Sequence, residues 1–437
     1  MVLIRRGPSA ARLLGPRGGP QMSDSITKGD SSTCIMTYSH DGFGLGHLRR
    51  NTTIASHLAR EVSESSVLML IGCPTGAVFK LPPGVDFIKL PSVIKRDTGV
   101  WQPLRLRIGL DKTKALRAAT IQEVASVFRP QLLLVDHVPV GIWGELLPLL
   151  DTLKRSDHAP VIVLGLRDIL DRPEVTRTLW EREGAYQAIR RYYDEIFIYG
   201  CREVFDTSSC YGLEEKFAPM VHYCGYVCAN EPYKSKGQMR KELQVEDRLI
   251  VVTGGGGVDA YPMMQICMKA LRLLGPHAGV EAIFISGPLM DNEQRERLRE
   301  EAKGLRVRVL THVEDSLSYL NAAHLVVTMA GYNSLCQVLQ LKSKALVVPR
   351  SGPSAEQQMR ARLFNQRGLA DVIYPSDLSP KTMAAKLMEN LQRRDHASDD
   401  PAIHTNGGRT AAARLAELLA SRDYYPVQSQ IECRLHS

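Results

Sequence analysis

The fold turns on the stretch Leu249-Ile250-Val251-Val252-Thr253-Gly254-Gly255-Gly256-Gly257-Val258-Asp259-Ala260. Its aliphatic and β-branched run is too short for a helix and has no polar alternation, so it reads as a strand buried on both faces. A helical pattern follows at 262–274. Four glycines in a row exceed what a turn alone asks for. Lacking Cβ atoms, they let the backbone press against a ligand, while the helix start behind them offers unpaired N–H groups and a partial positive charge.

Outward from there, the same alternation of short apolar runs and helical patterns repeats in both directions, the signature of βαβ units and parallel sheets. Strands are expected at 33–38, 66–71, 131–135, 161–166, 195–199 and 221–223. A polar stretch with Lys234, Lys236, Arg240 and Lys241 then interrupts the rhythm. Strands resume at 249–253, 282–286, 306–310, 325–328 and 345–348. The expected class is α/β, with two Rossmann-like, doubly wound parallel-sheet domains facing across a cleft. The expected boundaries are an extension at 1–30 (disordered or targeting), a first domain at 31–228, a linker at 229–247, a second domain at 248–408, and a C-terminal helix and tail at 409–437.

Three further segments carry chemistry. The first expected strand runs into Ser39-His40-Asp41-Gly42-Phe43-Gly44-Leu45-Gly46-His47-Leu48-Arg49-Arg50 and a helix. Its Gly42-x-Gly44-x-Gly46 spacing is not the dinucleotide G-x-G-x-x-G, and no acidic residue ends the next strand. No G-x-x-x-x-G-K-[ST] occurs either. The second segment, Thr328-Met329-Ala330-Gly331-Tyr332-Asn333-Ser334-Leu335-Cys336-Gln337, is again strand, glycine turn and helix. There Asn333 and Ser334 either grip a diphosphate or simply cap the helix. The third, Pro349-Arg350-Ser351-Gly352-Pro353-Ser354-Ala355-Glu356-Gln357-Gln358, delivers a carboxylate and two amides from the end of a strand, where parallel sheets bind ligands.

Composition narrows the field. With 437 residues, 44% hydrophobic and 23% charged, the chain has room for two ordinary domains. No apolar run reaches the ~18 residues of a membrane span. The formal charge of +8 suits phosphates or peripheral contact with an anionic membrane surface, and equally a mildly basic soluble protein. Aromatic residues are only 6% and no nucleic-acid motif appears, so nucleic acid is not an expected partner. Nine scattered cysteines argue for free thiols in a reducing, cytoplasmic setting. Cys224 and Cys228 lack the second pair or histidines of a zinc site. Arg5, Arg6, Arg12 and Arg17, with no acidic residue before position 22, read as a transit peptide or as an extension before a true start at Met22.

Taken together and in order, these segments resemble the GT-B glycosyltransferases, and among them family 28, the type that includes the peptidoglycan enzyme forming lipid II. That family's donor domain runs through a glycine loop, an A/S-G-x-x-[ST]-x-x-E turn and a proline loop with D/E-Q-x-x-N/R. The stretch Gly44-x-Gly46-His47-x-x-Arg50 is similar to the family's G-x-G-H-x-x-R/P segment. The strings at 42–50 and 163–171 also resemble bacterial predicted glycosyltransferases. The resemblance covers about residues 33–420 and implies a nucleotide-sugar donor, of the UDP-sugar type, in the C-terminal half. It places Gly254, Gly255, Gly256 and Gly257 against the donor, Gly331, Asn333 and Ser334 on the diphosphate, and Glu356, Gln357 and Gln358 on the sugar hydroxyls. Gln337 stands where the family has a ribose-binding Glu, which loses a charge-assisted bond.

Transfer to an acceptor hydroxyl asks for a base, and His47 at a helix start is the first candidate. Asp136, followed by His137, is the second, as base or acceptor orienter; His40 and Asp41 are weaker ones. Arg167 and Asp168 read as acceptor contacts or as a structural ion pair. No D-x-D triplet occurs, so neither a metal nor another cofactor is expected and helix dipoles would stabilise the leaving diphosphate. The acceptor stays open between a lipid-linked molecule and a small glycan. Two other readings also stay open, a UDP-sugar hydrolase or 2-epimerase on the same fold and a non-catalytic sugar-nucleotide-binding protein.

Overall fold

A computed structural model describes residues 32–40, 46–73, 81–97, 100–229, 231–393 and 400–424. The apolar runs become fifteen strands: β1 (Thr33–Ser39), β2 (Ser65–Ile71), β3 (Val85–Lys89), β4 (Val93–Asp97), β5 (Val100–Pro103), β6 (Leu132–Asp136), β7 (Val161–Arg167), β8 (Glu195–Tyr199), β9 (Val221–Tyr223), β10 (Arg248–Thr253), β11 (Val280–Ile285), β12 (Val307–Leu310), β13 (Leu325–Thr328), β14 (Ala345–Val347) and β15 (Asp371–Val372). A seven-stranded sheet has the order β3-β2-β1-β6-β7-β8-β9, and a six-stranded sheet the order β12-β11-β10-β13-β14-β15. Every pairing within both sheets is parallel.

This is the two-domain, doubly wound α/β architecture expected from the sequence. In each sheet the order reverses beside the first strand, between β1 and β6 and between β10 and β13. Crevices outside the carboxyl ends of strands at such reversals are where doubly wound sheets bind ligands. The β1/β6 crevice receives His40, Asp136 and His137. The β10/β13 crevice receives the glycine loop and the Gly331 turn.

Several elements differ from expectation. β3 was not expected because its alternating Val-Asp-Phe-Ile-Lys is an edge strand with only Val85 buried. β4 and β5 form a separate antiparallel pair. β15 is two residues long, below what periodicity can register. The expected linker is partly helical. Ser235 Oγ accepts from the Gln238 N–H and starts the helix Lys236–Leu243, which buries Met239. Lys234 N–H donates to Ser318 Oγ at 2.7 Å, so this segment is docked on the second domain.

One apolar core runs through both halves, from Ile35 and Leu134 under the first sheet to Val251 and Phe364 in the second. The chain crosses between halves twice, side by side. Tyr226 N–H donates to His404 O, and Gly407 N–H donates to Tyr226 O. The last helix, Gly407–Tyr424, then packs on the first domain's helix Gly46–Glu61. It buries Ala411, Ala412 and Leu415 there.

Candidate active site

A cavity of about 1550 Å³ lies between the carboxyl ends of the two sheets. On the first domain's side, helix Gly46–Glu61 begins at the mouth of β1 and puts His47 in the cavity wall. Its Nδ1 lies 3.0 Å from Asp136 Oδ2, at the end of β6, and 15% of the His47 side chain is exposed. Asp136 itself is fully buried. Arg50 Nη2 donates to both of its oxygens at 2.8 Å, and Asn51 Nδ2 donates to Oδ2 at 2.8 Å.

Burial alone would raise the Asp136 pKa, but the Arg50 guanidinium and the His47 ring outweigh it and hold the carboxyl well below the usual range. Asp136 is therefore an anion with its lone pairs occupied. That corrects its assignment as a base: it does not line the cavity and has no free edge to offer an acceptor. Its Oδ2 instead faces His47 Nδ1. A carboxylate on Nδ1 favours the tautomer protonated there, which leaves the lone pair on Nε2. Arg50 Nη2 also lies 3.0 Å from Nδ1, a contact that the opposite tautomer would accept, while it donates to both carboxylate oxygens. The Arg50 guanidinium is sandwiched by the Tyr199 and Tyr332 rings, 5.5 and 5.4 Å away, one from each domain.

Two more histidines gather here. The His40 ring lies 4.7 Å from that of His47 and 5.8 Å from that of His137. Burial first, then the charges His47 and His137 would carry, hold the His40 pKa well below its ordinary value. It is neutral at pH 7. Asp41 and Gly44 lie outside the described residues; Gly46 lines the cavity.

Across the cavity, Gly254, Gly255 and Gly256 are in its wall and Gly257 is not. Gly255 has φ +65° and Gly257 φ +96°. A Cβ on Gly257 would lie 2.1 Å from Ser286 O, just past β11, so this glycine is required by the packing of its loop and lies outside the cavity wall, a correction to the sequence reading. Gly331 is the N-cap of helix Tyr332–Leu341. Asn333 and Ser334 follow in the first turn, and all three line the cavity. Ser334 Oγ would be 3.4 Å from a Cβ on Gly255, so the two loops form one surface. Asn333 Nδ2 donates to Gly46 O at 3.2 Å, tying that surface to the start of the His47 helix. Gln337 spends its Nε2 on Ser316 Oγ at 2.9 Å.

The third segment departs further from expectation. Glu356 and Gln357 line the cavity, whereas Gln358 does not. Gln358 Nε2 donates to Arg350 O and Ser351 O, 3.3 and 3.2 Å away. It braces its own loop, which corrects its assignment to the sugar. Glu356 is held between Arg350 and Arg167. Asp168 pairs with Arg360, not with its neighbour Arg167. Sequence reasoning missed Arg50 as the clamp on Asp136, although its i+3 spacing from His47 put both on one helix face. It also missed Arg350 and Arg360, whose partners lie in distant segments. Among the described residues, no group of three or more His, Cys, Asp or Glu could hold a metal ion, and the eight described cysteines are free thiols.

Residues 249–415 match the model of the glycosyltransferase family 28 C-terminal domain. The second half of the chain is thus similar to a family 28 domain. An uncharacterised glycosyltransferase of Methanopyrus kandleri is 27% identical over 184 residues, covering 42% of this chain and 48% of that protein. The UDP-N-acetylglucosamine–N-acetylmuramyl-(pentapeptide) pyrophosphoryl-undecaprenol N-acetylglucosamine transferase of Rubrobacter xylanophilus is 29% identical over 158 residues, 36% of this chain and 44% of the relative. The chain thus spans about half the length of the curated relatives it matches. In three dimensions the likeness is wider. MurG of Acinetobacter baumannii superposes with a TM-score of 0.53 at 14% identity, over 89% of this chain and 99% of that one. A putative UDP-N-acetylglucosamine 2-epimerase from Listeria monocytogenes gives 0.56 at 13% identity, over 92% and 97%. The family 28-like chain has the GT-B fold.

Proposed function

We propose that this family 28-like chain is a metal-independent glycosyltransferase that moves a sugar from a nucleoside diphosphate, of the UDP type, to an acceptor hydroxyl. One observation carries the reading: an oriented histidine and a glycine-lined helix start face each other across a single cavity. His47, fixed by Asp136, takes the acceptor proton on Nε2 as the new glycosidic bond forms. Gly254, Gly255, Gly256 and the helix start at Gly331 receive the departing diphosphate through backbone N–H groups. Gln337 Oε1 remains as an acceptor for a ribose hydroxyl. Support comes from the family 28 domain and from relatives named as glycosyltransferases.

The acceptor on this reading is lipid-linked and met at a membrane surface. Among the described residues no helix is long and apolar enough to cross a membrane. Leu104, Leu106, Leu110 and Leu116 are exposed, interleaved with Arg105, Arg107, Lys112 and Lys114. That combination suits the face of an anionic bilayer. Trp101, just before this patch, lines the cavity.

The test is titration of the purified chain with UDP and UDP-sugars, then incubation with donor and polyprenyl-linked acceptors. Acceptor-dependent release of UDP supports the proposal. Free sugar released without acceptor points instead to a hydrolase, and an epimerised sugar on intact UDP to an epimerase. Absence of any nucleotide binding would remove the reading altogether.

A further inference from the structure

Arg167, at the end of β7 in the first domain, reaches across the cleft to the first residue of helix Glu356–Gln366. Its Nη2 forms an ion pair with Glu356 Oε2 at 2.5 Å. Arg350 Nη2 donates to the other oxygen, Oε1, at 3.2 Å, and Arg350 Nη1 to Asp259 Oδ2 at 3.2 Å. All four side chains line the cavity. Beyond these ion pairs, three of their buried polar atoms have no hydrogen-bond partner among the described residues: Arg167 Nε, Arg350 Nε and, apart from its ion pair with Arg167, Glu356 Oε2.

Buried polar atoms are almost always paired, and those left unpaired in a cavity wall call for an explanation. Here they are two donors and one acceptor in a single cluster. Two guanidiniums and two carboxylates leave the cluster formally neutral. A group that both donates and accepts completes it, as the hydroxyls on adjacent carbons of a sugar do, while a carboxylated sugar would add an uncompensated charge. Asp259 lies two residues past the glycine run, so the cluster adjoins the proposed diphosphate site, where the sugar of a nucleotide sugar must lie.

Arg167 is also held rigidly. Its neighbour Asp168 accepts from Arg360 Nε and Nη2, both at 2.8 Å, and Asp171 Oδ1 accepts from the Ala355 N–H at 3.0 Å. These contacts fix the 167–171 segment to the start of the same helix that carries Glu356.

We propose that Arg167 is a specificity-determining residue of the donor site, reading the hydroxyls of a neutral sugar jointly with Glu356 and Arg350. The inference rests on the proposed donor site and adds to it a first-domain side chain that discriminates one sugar from another. Removing Arg167 then leaves the nucleotide's own contacts intact and erases the sugar's share of the affinity.

The experiment titrates wild type, Arg167→Gln and Arg167→Lys with UDP, UDP-glucose, UDP-galactose, UDP-N-acetylglucosamine and UDP-glucuronic acid, with thermal unfolding as a folding control. Wild type is expected to favour one neutral sugar over its epimer by about tenfold or more, as a lost hydroxyl contact implies, and to disfavour the glucuronate. Arg167→Gln should keep the affinity for UDP within about twofold and lose the epimer preference. Arg167→Lys keeps the charge but not the fork of donors, and should lose the preference too while folding normally. An unchanged epimer ratio in Arg167→Lys, or a preference for the glucuronate in wild type, overturns the proposal while the donor site stands. Failure of wild type to bind UDP or any UDP-sugar overturns the donor site and this inference with it.

Discussion

His47 Nδ1 sits 3.0 Å from Asp136 Oδ2, and the carboxylate is clamped from behind by Arg50, one turn along the same helix. The pair therefore divides its duties. His47 meets the cavity, while Asp136 is fully enclosed and binds a guanidinium that is only 2% exposed.

Substitutions should separate the two duties. His47→Ala is expected to lower kcat by about 10²–10⁴, the usual worth of a general base, with little change in unfolding midpoint. Asp136→Ala leaves Arg50 buried without its anion and should cost about 3–5 kcal/mol of stability in addition to activity. Urea unfolding beside steady-state kinetics reads both. A stable, well-folded Asp136→Ala protein would contradict the clamp.

The glycine loop makes a second contrast, between neighbours. A Cβ on Gly257 would collide with Ser286 O, and its φ of +96° is a conformation side chains avoid. Gly257→Ala is expected to destabilise by about 1–3 kcal/mol or more. Gly256 lacks a positive φ, and a methyl there meets only the flexible end of Leu289 at 3.3 Å. Gly256→Ala should fold normally and, by thickening the cavity wall, weaken UDP-sugar binding about tenfold. Calorimetric titration and thermal unfolding of both variants check this; equal effects on stability would refute it.

The contrast also shows what sequence can reveal. A run of glycines announces a backbone requirement because that requirement is local, and strand–glycine–helix order is local as well, so both sheets and both loops could be read from the chain. Which of the four glycines faces the cavity depends on Ser286, just past the end of β11. Likewise Asp136 was visible at a strand end, but its enclosure by Arg50 and Asn51 was not, and it was read as a base or an orienter of the acceptor. Glu356 stood out within its motif, whereas Arg167 comes from the other domain and no spacing links them. Gln358 was drawn into the site by its neighbours, when its amide serves two carbonyls of its own loop.

The buried pair Asp168–Arg360 joins the two halves with both side chains about 98–99% enclosed, being 2% and 1% exposed. Arg360 Nη1 also donates to Ala330 O at 2.8 Å. Arg360→Met should lose about 3–5 kcal/mol by stranding the carboxylate. Adding Asp168→Leu should recover part of the loss, since replacing both ions by apolar groups costs less than breaking the pair. A double-mutant cycle in urea measures that coupling; strictly additive losses would argue against a direct pair.

A last expectation concerns acid. His324 Nδ1 accepts the Leu249 N–H at 3.0 Å, which needs a neutral ring. Burial first, then Lys236, Arg240 and Lys344, push its pKa down to about 4. In the unfolded chain the same ring titrates near 6.5. Between those values the unfolded state binds a proton that the folded state refuses, so stability is full above about pH 6.5 and falls as pH drops toward 4. His40, also held low, adds a loss of the same sign. Asp136 acts lower down: its contribution is present above the unfolded carboxyl range near 4 and is lost only as pH falls below it. His324→Gln keeps an acceptor for Leu249 but has no proton to gain. Urea midpoints measured from pH 7.5 to 4.5 should therefore fall less steeply in His324→Gln than in wild type, with the remaining slope owed in part to His40. Parallel curves for the two proteins would show that His324 is not excluded from protonation by the fold.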